Sequence, residues 1–152
     1  MAWVNLNKSM LNSAFFGQNP VFFVFFCIWF FNFLRFFNFS TPFFHYFANG
    51  NVYVGQWEAD KKQGMGQFSY ANGDVYDGQW SDDMPNGKGL FKSSIGDTYE
   101  GDWAGGKMEG FGVYRFSTGD EYEGEWKAGK RCGKGVKRFA NGDTYEGDWN
   151  DQ

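Results

Sequence analysis

Three pairs of carboxylates stand one residue apart: Glu100 and Asp102, Glu123 and Glu125, Glu146 and Asp148. On a strand each pair shares one face, an arrangement able to divide acid and base roles as in glycoside hydrolysis. A catalytic pair is singular, however, and this one recurs in unit after unit. The pairs therefore read as a solvated charged face. His45 is the only histidine, and Cys27 and Cys132 have neither CxxC spacing nor a histidine neighbour, so no metal site is implied. No nucleophile elbow, phosphate loop or calcium-binding loop is found. The expectation is a protein that is not an enzyme and needs no cofactor or metal. One local basic cluster remains: Lys130, Arg131, Lys134, Lys137 and Arg138. It is a candidate contact for a phosphate or lipid headgroup, with a solvated loop as the simpler alternative.

Behind these residues lies a period of 23. Tyrosine recurs at Tyr53, Tyr76, Tyr99, Tyr122 and Tyr145. Glycine follows two residues later, at Gly55, Gly78, Gly101, Gly124 and Gly147, and tryptophan two later again, at Trp57, Trp80, Trp103, Trp126 and Trp149. Each unit then has a glycine pair (Gly64/Gly66, Gly87/Gly89, Gly110/Gly112, Gly133/Gly135) and a Gly-Asp step such as Gly73-Asp74. The units run 53–75, 76–98, 99–121 and 122–144, with partial units at 45–52 and 145–152. One period upstream of Gly64 and Gly66 stand Thr41 and Phe43, where the pattern fades.

Alternation specifies strands. In Tyr122-Glu123-Gly124-Glu125-Trp126 the two rings and the glycine share one face and the acids the other. In the second strand of the preceding unit Gly110, Gly112, Tyr114 and Phe116 face one way, and Phe111, Val113 and Arg115 the other. Glycine inside a strand marks a close approach, here by a Tyr or Trp ring of a neighbouring strand. The Tyr-Gly-Trp face is thus a packing surface and a candidate binding face. Acids of the first strand should meet Lys88, Lys92, Arg115, Lys134 and Arg138 of the second. Asp82-Asp83-Met84-Pro85-Asn86 and Lys127 to Cys132 read as loops, with the second strand starting at the glycine pair. Asn72-Gly73 and Asn141-Gly142 read as tight hairpin turns. Each two-stranded unit should advance the array by about 10 Å.

The first 44 residues are of another kind. Residues 1–52 hold 15 of the 20 phenylalanines and carry +2; the remainder holds all 18 acids and carries −6. Residues 21–39 form an apolar run broken by Asn32, Arg35 and Asn38. Three readings stay open: a transmembrane helix, translated non-coding sequence, and a disordered or buried hydrophobic arm. An acidic array argues against nucleic-acid binding, and the lack of a polybasic stretch weighs against anionic lipid.

From about residue 45 onward the chain closely resembles the MORN repeat (membrane occupation and recognition nexus), as in Tyr145-Glu146-Gly147-Asp148-Trp149 and Ala140-Asn141-Gly142-Asp143. Val54, Cys132 and Lys137 depart from the pattern. The resemblance implies an all-β, elongated single-layer antiparallel sheet of tandem hairpins, stabilised between neighbours. It also implies a non-catalytic scaffold for protein–protein interaction, cytoplasmic and associated with membrane, cytoskeleton or cilium. The alternatives are a membrane-anchored or phospholipid-binding module, or a fragment of a larger enzyme such as a phosphatidylinositol phosphate kinase. An unpaired strand at Tyr145–Trp149 would invite end-to-end self-association.

Overall fold

The computed structural model describes residues 43–151; the apolar run at 21–39 lies outside them. Every element within that range is a strand: β1 (Phe43–Tyr46), β2 (Val52–Glu58), β3 (Lys61–Ser69), β4 (Val75–Ser81), β5 (Met84–Lys92), β6 (Thr98–Ala104), β7 (Lys107–Arg115), β8 (Glu121–Lys127), β9 (Lys130–Arg138) and β10 (Thr144–Asn150). They form one open antiparallel sheet in chain order, the tandem-hairpin arrangement that the resemblance implies. No helix among these residues is long and apolar enough to cross a membrane.

The register places a glycine opposite a glycine at every junction from β2 to β10. Gly55 pairs with Gly66, Gly66 with Gly78, Gly78 with Gly89, and so on to Gly135 with Gly147. A row of bare backbone therefore crosses nine strands. Each interior tyrosine lies over it. A Cβ on Gly66 would stand 2.6 Å from Cε2 of Tyr53, and one on Gly112 would stand 2.6 Å from Cζ of Tyr99. Only glycine admits the rings at those positions.

The connections reverse the expectation from turn composition. The two-residue hairpins are Ala59-Asp60, Asp82-Asp83, Gly105-Gly106 and Ala128-Gly129, with positive φ at both residues of each. This is the type I′ geometry whose twist matches the flanking strands. The Asn-Gly segments are longer: Gly73 N–H donates to Tyr70 O at 3.0 Å, Tyr70 N–H donates to Asp74 O at 2.9 Å, and Gly73 takes φ 93°. That is a turn followed by a left-handed glycine, so one positive φ suffices. The segments from Asp82 to Asn86 and from Lys127 to Cys132 are accordingly not loops. All but their two turn residues lie in strands, and the second strand of each hairpin begins three residues before the glycine pair. The first glycine of each pair then serves a different purpose from the second. Gly64, Gly87, Gly110 and Gly133 have positive φ and sit where the register shifts by a β-bulge.

Candidate interaction surface

On one face the repeat-defining rings form a continuous zigzag. Tyr53 meets Trp57 at 5.3 Å and Trp80 at 5.4 Å between centroids; Tyr76 meets Trp80 and Trp103 at 5.1 Å each. Tyr99 meets Trp103 and Trp126 at 5.3 Å each, and Tyr122 meets Trp126 at 5.3 Å and Trp149 at 4.9 Å. All are edge-to-face, a geometry worth about 0.5–1.5 kcal/mol per pair beyond burial. Tyr53, Tyr76, Tyr99 and Tyr122 are fully buried. Their hydroxyls donate to the carbonyls of Gln56, Gln79, Asp102 and Glu125 at 2.9–3.2 Å. The indoles of Trp80, Trp103, Trp126 and Trp149 donate to Gly66, Gly89, Gly112 and Gly135. Trp57 is the exception: its Nε1 is buried without a hydrogen-bond partner among the described residues. Desolvation pushes the phenol of Tyr53 up to about 12, as burial does those of Tyr114 and Tyr122, while Tyr76 and Tyr99 rise further. Tyr145 is the terminal contrast, with 48% of its surface exposed.

Cations fill the notches of this face. Lys62 Nζ lies within 6.0 Å of the rings of Phe47, Tyr53, Trp57, Phe68 and Trp80 and pairs with Asp83 at 3.1 Å. Arg131 stacks at 4.5 Å on Trp149 and holds Asp151. Lys137, in an aromatic column, repeats with Asp120 the contact that Tyr114 makes with Asp97 one unit earlier.

The basic cluster read from the sequence is therefore not one patch. Arg131 and Lys137 lie on the ring face, in register with Trp126 and Tyr122. Lys134 and Arg138 lie on the opposite face, paired with Asp148 at 2.8 Å and with Glu121 and Glu123 at 3.0 Å. Lys130 is exposed at the foot of β9. The neighbours in sequence were separated by strand alternation, and four of the five face a carboxylate.

Several acids also have structural duties that the sequence did not reveal. Asp102 and Glu125 accept the bulge amides of Phe111 and Lys134, as Gln56 and Gln79 accept those of Met65 and Lys88. Asp74, Asp97 and Asp120 accept the backbone amides of Ser94, Ser117 and Ala140 one unit on, which holds their carboxyls below the usual range. On the other side of the array, Gly106 and Gly129 donate to the carbonyls of Pro85 and Met108.

Apart from Tyr145, the exposed large apolar side chains of the strands lie on the face opposite the rings. Phe44, Tyr46, Met65, Met84 and Phe111 are exposed there. Two side-chain rows flank the glycine row. One runs Asp77, Leu90, Glu100, Val113, Glu123, Val136, Glu146, each paired with the next, so that acid and aliphatic alternate across the strands. The other contains Asp102, Phe111, Glu125, Lys134 and Asp148. Between them lies an open groove of about 680 Å³, lined by Phe111, Glu123, Lys134, Val136 and Glu146, with a floor of Gly124, Gly135 and Gly147. Phe111 and Val113 were assignable to this face from alternation. Nothing marked them as a site, because they stand outside the repeating motif.

The MORN repeat family model matches residues 53–75, 76–98, 99–121 and 122–144, the units defined by the tyrosine period. A comparison with curated proteins returned no match. With four matched units in unbroken register, and with the rings and glycines of each in one packing scheme, this chain belongs to the MORN-repeat family.

Proposed function

We propose that this protein is a non-catalytic scaffold that binds other proteins through the face opposite its aromatic ladder. The observation that carries this reading is the division of labour between faces. The interior motif tyrosines are buried against glycine, and four of the five tryptophans donate to a carbonyl across the sheet. Phe111, half exposed at 51%, has no such partner and borders a groove. Exposed rings in a concave surface are what protein interfaces use as anchors. The placement that goes with this reading is cytoplasmic, with attachment to membrane or cytoskeleton made through a partner. The test is proximity labelling in cells with the native chain and with Phe111→Glu. A discrete set of proteins should drop out with the variant; an unchanged set would overturn the reading.

Direct binding of phospholipid is the second reading, carried by Lys130 and its neighbours. The ion pairs of Lys134, Lys137 and Arg138 weigh against it. It predicts salt-sensitive flotation with anionic liposomes that disappears when Lys130, Arg131 and Lys134 are changed to Glu.

A further inference from the structure

We infer that the groove-bearing face takes an amphipathic α-helix with basic flanks, laid across the strands; this rests on the scaffold reading above. The argument begins with spacing. Leu90, Val113 and Val136 occupy one row, one per unit, with Glu100, Glu123 and Glu146 alternating between them. Paired strands lie about 4.8 Å apart, so each chemistry recurs about every 10 Å. A helix rises about 10.5 Å in seven residues. One heptad therefore advances by one unit, and over three units the mismatch stays within the reach of a leucine side chain. Each heptad sets an apolar residue beside an aliphatic position and a basic one beside a carboxylate.

Charge selects the sign. In the two rows beside the glycine row, Asp77, Glu100, Asp102, Glu123, Glu125, Glu146 and Asp148 outnumber Lys88 and Lys134, and Glu146 makes no ion pair among the described residues. Backbone chemistry selects the helix. The strands below are hydrogen-bonded on both sides from β2 to β9, so they offer no ladder to an extended chain lying across them. A helix satisfies its own amides and needs only side-chain contacts. Phe111 supplies the central anchor at the groove.

The experiment uses the full chain and a labelled three-heptad peptide with Leu at the apolar positions and Lys at the flanks, read by fluorescence anisotropy. A Glu-flanked peptide and a Lys-flanked peptide broken by a central proline serve as controls. The native chain should bind the Lys helix and neither control. Phe111→Glu adds negative charge yet should weaken binding by about tenfold, the loss of a buried anchor. Glu146→Lys, at an exposed position, should also weaken it and provides a second variant if Phe111→Glu melts early. Equal or tighter binding by Phe111→Glu would mean plain charge attraction and overturns the inference, as does equal binding of the proline-broken peptide. If no peptide binds while Phe111→Glu still loses labelled partners, the helix is wrong and the scaffold reading stands. If no partner depends on Phe111, the scaffold reading itself falls.

Discussion

Tyr99 on β6 and Phe111 on β7 are rings on adjacent strands of one sheet, yet one is fully buried and the other half exposed. Neither has a second layer of described residues above it. The difference is made by what lies beneath and beside each ring. Tyr99 lies on Gly112, between Trp103 and Trp126, with its hydroxyl on Asp102 O. Phe111 stands on the opposite face among carboxylates and one lysine. A single-layer sheet can thus carry its core on one side by replacing the missing layer with glycines and interleaved rings. The other side is then free to vary from unit to unit: the column of Phe111 holds Met65, Lys88 and Lys134 in the other repeats.

The largest test of this contrast is alkaline pH. A tyrosine in the unfolded chain ionises near 10, whereas burial holds Tyr53, Tyr114 and Tyr122 protonated up to about 12. Between those values the folded chain keeps protons that the unfolded chain has lost. The contribution is therefore complete below about pH 10 and lost as pH rises through 12. In a variant with the exposed Tyr46, Tyr70 and Tyr145 changed to Phe, circular dichroism and phenolate absorbance should change together in one cooperative transition; phenolate appearing with the sheet intact would show that the ring face is not closed.

Next comes a pair of neighbouring substitutions. Gly112→Ala would drive a methyl into the Tyr99 ring and should cost about 3 kcal/mol in urea unfolding. Phe111→Gln should stay within about 0.5 kcal/mol. Similar costs at both positions would erase the distinction between faces. A smaller effect separates the interior from the end of the same ladder. Tyr99→Phe removes a hydroxyl bonded at 3.0 Å and should lose about 1 kcal/mol. Tyr145→Phe, at the exposed end, should change the melting temperature hardly at all. Smallest is Lys134→Ala: its pair with Asp148 is three-quarters exposed on both partners, water and salt screen such a pair, and the melting temperature should not move.

Much of the ring face was legible because its requirements are local and repeat. The period of 23 placed every Tyr, Gly and Trp of the repeat motif, and alternation placed them together. The turns were misjudged because the tight type I′ geometry fell on Ala-Asp, Asp-Asp, Gly-Gly and Ala-Gly pairs, while Asn-Gly entered a longer turn. Turn propensity reports which residues tolerate positive φ, not how many of them a given connection needs. The basic cluster was misjudged for a related reason: nearness in sequence ignores the two faces of a strand.

By itself, then, the amino-acid order determined the repeat, the strands, the face each motif residue occupies and the need for glycine beneath the rings. These follow from a period of two along the strand and 23 along the chain. The tertiary structure alone decided which glycine carries a ring and which a bulge, which acid holds a backbone amide in the next strand, and which lysines are already paired. It also brought Leu90, Val113 and Val136, twenty-three residues apart in turn, into one row beside alternating carboxylates. Those are relations between strands, set by register and bulge, and no single strand's sequence contains them.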